Sequence, residues 1–387
     1  MSSASSSWNG QEFRLHISID MPPSSDPNEP PFGWLGQGVA LTRNHAIVVA
    51  TKTILVYSLL SGRLIHSLKG HTSVVERLAV YRDTLVSASH NSPIRVWDLA
   101  SGRCLRTLSF GGAYFLSIVK PELVEVEQKH TLVKERWPKD PLVVASIFDG
   151  DTFRVWKLEY SGRDGSKANL DGISKDMRNL DAYDDHRVHC LAARGRFVLT
   201  GSYNCTVCIW DVIMGQRKWI LIGHTNRVVS VDLDEGQAYS GSQDSTIRIW
   251  NVHTGDCSYI LKLTSPILEA RLSHSYLVSL HHDGTLCVHN LIDHKLHYRL
   301  TSVADWLRHF LHDDYKLCFQ SNGSLKLWDM RNNRLIMEYS LGNADAYDIQ
   351  FTDSFLVAYL RQDSKMTIKV WRFADEKPDG SSNENGI

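Results

Sequence analysis

The feature that most constrains this chain is a phrase written twice. Residues 200–211 read TGSYNCTVCIWD and residues 240–251 read SGSQDSTIRIWN, so the copies start forty residues apart. Each copy is a run of alternating apolar and polar residues, a polar turn, and a second alternating run that carries a tryptophan. Period-two alternation puts the apolar side chains on one face of a pleated strand, and the turn reverses the chain. A hairpin of that size cannot bury its apolar face alone, so a fold made from it must stack several copies.

The pair Gly223-His224 stands between the copies, and Trp210-Asp211 closes the first of them. A forty-residue period framed by Gly-His and Trp-Asp resembles the WD repeat, in which each copy is one four-stranded blade of a β-propeller. The resemblance implies an all-β fold with a polar network buried inside each blade. In the second copy its members are His224 ahead of the first strand, Ser240 on the second, Asp244 in the turn and Trp250 on the third. In the preceding copy the corresponding members are expected to be His186, Thr200, Asn204 and Trp210. Each such hydrogen bond contributes about 1 kcal/mol net, whereas an unpaired buried partner costs about 1–3 kcal/mol. These residues are expected to hold blades together, not to catalyse or to bind metal.

The third-strand phrase counts the blades. It recurs as ILVYSL (54–59), IRVWDL (94–99), FRVWKL (153–158), VCIWDV (207–212), IRIWNV (247–252), LCVHNL (286–291), LKLWDM (325–330) and IKVWRF (368–373). Eight blades are expected; seven is the alternative, with the first phrase outside the ring. Tyr57 and His289 replace the tryptophan in blades one and six, so the network degenerates there.

The flanks read differently from the repeats. Residues 1–10 are serine-rich and expected to be disordered. Residues 11–20 alternate Phe13, Leu15, Ile17 and Ile19 with polar neighbours, which is an isolated strand in need of a sheet. In a propeller such a strand completes the last blade and closes the ring. A proline-rich linker over 21–33 leads into a propeller over 34–373. Two polar, charged segments, 120–141 and 159–185, break the period and read as surface-loop insertions. Residues 374–387 read as a disordered tail.

Composition narrows the function classes. The formal net charge of −1 favours neither nucleic acid nor an anionic membrane as partner. Seven scattered cysteines form no disulfide framework. There is no basic-then-apolar leader and no apolar run of bilayer length, so an intracellular protein, cytoplasmic or nuclear, is expected. Cys205 and Cys208 have a redox- or zinc-like spacing, but they fall on a turn and a third strand without a second ligand pair, and read as packing. His281 and His282 are adjacent on a strand and therefore point to opposite faces. No phosphate loop, nucleophile elbow or HExxH motif is present, so no enzyme, metal or cofactor is expected.

The eight repeats, the insert after blade three and the phrases GHTNRV (223–228), SGRCLRTL (101–108) and TGSYN (200–204) together resemble a narrower group. It is the propeller of the cell-division-cycle type of F-box/WD-repeat receptors, substrate-recognition subunits of SCF-type ubiquitin ligases. The resemblance spans about residues 13–374. It departs from that family in two respects. The 33 residues before Trp34 leave no room for an F-box, so the chain is expected either to lack one or to be part of a longer protein. The family also reads phosphorylated segments with arginines on one ring face, since a guanidinium fork pairs bidentately with phosphate. The matching positions here are Phe115, Asp149 and His189, none of them arginine. Tyr203 retains an aromatic of that face, Tyr347 stands where the family often has tryptophan, Glu76 replaces an aromatic in blade two, and His90 holds the matching turn.

The expected function is a non-catalytic scaffold that binds peptide segments or protein partners on the face carrying these residues and His282. The alternative is the substrate-recognition propeller of an SCF-type ligase, with ligase components among its partners.

Overall fold

The computed structural model describes residues 14–21, 38–89, 92–108, 115–119, 122–128, 131–137, 142–146, 152–157, 159–160, 168–169, 175–178, 187–212, 214–234, 236–273, 275–301, 310–362 and 365–373. The regular elements among them are all strands, and no helix is long and apolar enough to cross a membrane. The strands form eight four-stranded antiparallel sheets, one for each third-strand phrase. The eight-bladed expectation therefore holds, and the first phrase, on Thr53–Ser58, lies inside the ring.

In blades one to seven the strands run in sequence order across the sheet, and the first strands of neighbouring blades meet at the centre. Blade eight differs because its fourth strand comes from the other end of the chain. Arg14–Asp20 pairs antiparallel with Lys365–Arg372, from Arg14 opposite Arg372 to Asp20 opposite Thr367, with one bulge between Leu15 and Ile17. A closed ring leaves each blade only a short outer edge. The seam is also tied near the centre, where one Asp348 carboxylate oxygen accepts the backbone N–H groups of Gly38 and Val39 at 2.9 Å each. The Tyr359 hydroxyl donates to the Val49 carbonyl across the same seam at 3.0 Å.

The apolar core lies between blades. Val48, Leu55 and Tyr57 of blade one pack with Val357, Tyr359 and Ile368 of blade eight, and Ile17 and Ile19 of the terminal strand lean on the same cluster. Leu199, Val207 and Ile209 of blade four pack likewise with Val228, Val231 and Trp250 of blade five. Fully burying one such aliphatic side chain contributes about 1.5–3 kcal/mol, so each blade depends on its neighbours for most of its stability. The glycine in the TGS phrase follows from this packing. A Cβ on Gly201 would lie 2.6 Å from Cys190 Sγ and 2.6 Å from Val228 Cγ1.

The two insertions are more regular than their composition indicates. Within 120–141, Glu122–Gln128 pairs with Thr131–Trp137 in a seven-pair antiparallel hairpin. Within 159–185 lie a short ladder between Glu159–Tyr160 and Ala168–Asn169 and, beyond it, Lys175–Arg178. That last strand is the outer strand of blade three, pairing from Thr152 opposite Arg178 to Val155 opposite Lys175. Its sequence is polar because an outer strand has little surface to bury, so alternation does not mark it. The expectations for residues 1–10, for 22–33 of the linker and for 374–387 lie outside the described residues.

Candidate interaction face

The polar network of blade five is continuous. The Trp250 indole N–H donates to Ser240 Oγ at 2.8 Å, and Ser240 Oγ lies 2.8 Å from His224 Nε2. His224 Nδ1 lies 2.8 Å from one Asp244 carboxylate oxygen. Burial keeps the His224 imidazole below its usual pKa, against the opposing pull of Asp244, so the ring is neutral. A neutral ring fixes the proton directions: the Ser240 hydroxyl donates to Nε2, and Nδ1–H donates to Asp244. Asp244 also accepts the N–H groups of Thr225 and Thr246 and the Thr246 hydroxyl. Burial raises the Asp244 pKa, but the bonds from Thr246, Thr225 and His224 outweigh it and keep the carboxylate ionised. Ser, His and Asp in this order have the connectivity of a nucleophilic triad. Ser240, however, is fully buried and already accepts from an indole, so its oxygen cannot reach a substrate.

Blade two carries a version that the sequence reading did not single out. His71 Nε2 lies 2.7 Å from Ser87 Oγ, which accepts from Trp97 Nε1 at 2.8 Å. In both blades the histidine precedes the serine by 16 residues. Counting 16 back from Thr200 reaches Asp184, not His186, so the blade-four assignment of His186 does not follow the spacing that the structure reveals. Both residues lie outside the described residues. The rest of blade four is in place: Trp210 Nε1 donates to Thr200 Oγ1 at 2.9 Å, and Asn204 accepts from Thr206. In blade six, where His289 replaces tryptophan, Ser279 turns instead to His281, 3.0 Å away.

The ring-face positions share a local cause. Glu76, His189 and Tyr347 each fall in a register shift of an inner strand, between Val75 and Arg77, Val188 and Cys190, and Ala346 and Asp348. Val229 and Leu268 occupy the same shift in blades five and six, and sequence reasoning missed both. A β-bulge leaves one residue without a cross-strand partner and re-aims its side chain, so these five residues form a set. The signal was present, because each stands eleven residues before the second-strand position that the network serine or threonine marks. An apolar residue on an apolar strand, however, does not advertise exposure. Leu268 is 42% exposed. Phe115 instead pairs directly with Ser146 at the start of its strand. His90 and Asp149 lie outside the described residues, as do the side chains of Phe115 and Tyr347.

Three adjacent blades bring side chains together on this face. Tyr203 is 36% exposed, and its ring packs against His189 of the same blade with centroids 4.5 Å apart. The Arg227 guanidinium of blade five sits 5.9 Å from the Tyr203 ring centroid. The Gln243 backbone N–H donates to the Arg227 carbonyl at 3.1 Å, and its side-chain amide lies 3.3 Å from His282 Nε2 of blade six. Adjacent histidines diverge as strand geometry requires, with His281 buried and His282 exposed. Cys208 is buried in the contact between blades three and four, and Cys205 occupies a turn position with φ of 68°. No three potential ligands converge as a metal site among the described residues.

Known proteins place this geometry in a family context. The model of the WD domain, G-beta repeat, matches residues 175–211 and 215–251. The chain is 26% identical over 356 residues to Cell division control protein 4 of Saccharomyces cerevisiae, an alignment covering 84% of this chain and 44% of that protein. It is 27% identical over 362 residues to the WD repeat-containing protein pop1 of Schizosaccharomyces pombe, covering 86% and 46%. The chain thus spans less than half the length of these curated relatives. Among solved structures, the computationally designed Ika8 protein superposes with a TM-score of 0.65 at 21% identity, over 88% of this chain and 97% of that one. At that identity the likeness concerns the fold alone.

Proposed function

We propose that this chain, a WD-repeat β-propeller distantly homologous to Cell division control protein 4 and pop1, is a non-catalytic scaffold that binds peptide segments on its Tyr203 face. WD-repeat propellers are typically non-catalytic and bind other proteins. One observation carries the site assignment: a half-exposed tyrosine, a guanidinium, an amide and an imidazole from three consecutive blades meet beside bulge-aimed side chains. Exposed aromatic surface with a few directed polar groups is what an extended segment needs for anchoring and orientation. An intracellular location, cytoplasmic or nuclear, belongs to this reading.

A second reading is favoured by the distant homology to Cell division control protein 4 and pop1. Together with the resemblance to F-box/WD-repeat receptors, it makes this propeller the substrate-recognition part of an SCF-type ubiquitin ligase.

Affinity purification of the intact protein from its own cells, followed by mass spectrometry, separates the two. Recovery of a cullin and its adaptor supports the ligase reading; stable partners without them support the scaffold. Loss of partners in Tyr203→Ala with Tyr347→Ala locates the binding face. If every partner survives the double substitution, the face assignment is wrong.

A further inference from the structure

We infer that the segment bound on the Tyr203 face presents an aspartate or glutamate carboxylate to Arg227 and needs no phosphorylation to do so. This rests on the proposed function and specifies the ligand chemistry of that same face.

Arg227 is half-buried in the segment that leads into blade five, two residues before the bulge at Val229. Its Nε is shut off from solvent and has no hydrogen-bond partner among the described residues. The guanidinium also forms no ion pair with any described carboxylate, and the group found against it is the Tyr203 ring. The carboxylates of the neighbouring turns are committed. Both Asp244 oxygens serve His224, Thr225 and Thr246, and Asp283 Oδ1 accepts from the Thr285 N–H and hydroxyl. A partly desolvated guanidinium without a counter-ion among the described residues favours an incoming anion, because a charge-assisted bond then replaces an unmet donor.

The size of the charge selects the anion. A phosphoserine carries about −1.5 to −2 charges at neutral pH, whereas a carboxylate carries one. Arg227 supplies one positive charge at this point, and its neighbours Gln243 and Tyr203 add no cation to it. Arg187 occupies the corresponding position of blade four, but it is exposed and has an interaction of its own. One guanidinium beside an exposed tyrosine matches a single acidic side chain with an apolar residue next to it.

The test begins with peptides selected from a random displayed library on the full chain. Each is resynthesised with glutamate, glutamine or phosphoserine at the acidic position, and Kd is measured by fluorescence anisotropy for wild type, Arg227→Leu and Tyr203→Ala. Circular dichroism checks that the variants are folded. The inference expects Glu to bind about tenfold more tightly than Gln, as one charge-assisted bond implies, and phosphoserine no more tightly than Glu. Arg227→Leu is expected to erase the Glu/Gln difference while leaving Gln-peptide binding in place. A tenfold preference for phosphoserine, or a Glu/Gln difference that survives Arg227→Leu, overturns it. Should Glu and Gln bind alike and Tyr203→Ala abolish both, the acidic ligand is wrong while the face stands. If no selected peptide is weakened by Tyr203→Ala, the face itself falls.

Discussion

The indole of Trp219, on the outer strand of blade four, donates to the Val252 carbonyl of blade five at 3.2 Å and lies over Gly255. Similar contacts recur around the ring. His66 of blade one donates to the Ala100 carbonyl of blade two, and His16 of the closing strand donates to the Leu60 carbonyl of blade one. Outer strands bury little apolar surface, so these latches give each blade edge a directional hold on the next turn.

Gly255→Ala tests the latch. Gly255 has φ of +80°, and an added Cβ would lie 2.9 Å from the Trp219 ring, so backbone strain and steric overlap combine. A loss of about 1–3 kcal/mol is expected from chemical denaturation. Gly195→Ala is the control: its φ is +53°, but nothing lies within 4 Å of its Cβ position, so only the backbone cost of about 1 kcal/mol applies. Equal losses in the two variants would show that the latch contributes nothing.

Ser240→Ala and Ser87→Ala each leave a buried indole N–H and a histidine nitrogen without their shared partner. Each substitution should destabilise by about 1–3 kcal/mol, and Asp244→Ala by a similar amount. An unchanged denaturation midpoint would refute the network as a stabilising device.

Stability should fall as the solution is acidified. Burial, with Arg95 beside it, pushes His71 down to about 4, and burial, with His281 and Arg299 near it, pushes His289 down to about 4. The unfolded chain takes up protons on these residues below about pH 6.5, while the folded chain stays neutral down to about 4. Their contribution is therefore present above the unfolded value and lost as pH drops towards the folded one, on the order of 2–3 kcal/mol per residue. Denaturation from pH 7.5 to 5 is the measurement, and His289→Phe should flatten the curve. A slope that His289→Phe leaves unaltered removes His289 from the account.

Ring closure depends on two half-buried isoleucines of the terminal strand, Ile17 and Ile19. Ile17→Asp with Ile19→Asp places charges against that cluster and should cost about 2–4 kcal/mol, with increased aggregation from the freed edge of Lys365–Arg372. A melting temperature and light-scattering trace like wild type would mean that the closing strand is dispensable.

The repeat was legible because its signals are local. A tryptophan on the third strand and the alternation around it follow directly from burial between two neighbours, so eight phrases meant eight blades. The polar outer strand Lys175–Arg178 was not legible, because it lacks the alternation that burial of one face imposes, and the hairpin at 122–137 was read as a loop because charge dominates it, although Val124 and Val126 alternate with glutamates. The polar network of blade two escaped notice because the sequence after Ser87 departs from the pattern of the doubled phrase, although His71, Ser87 and Trp97 still meet.

By itself, then, the sequence determined the unit: its alternating strands, its turns, the Trp-Ser-His order of blade five and eight third-strand phrases, with the place of the first phrase inside the ring left to the structure. Those depend on contacts among residues close in the chain. Which side chains share the ring face was decided only in three dimensions. Bulges re-aim His189, Val229 and Leu268, and the meeting of Arg227 with Tyr203 crosses from one blade to the next. Contact across a blade boundary depends on how two sheets twist against each other, and period and spacing within one strand carry no record of that.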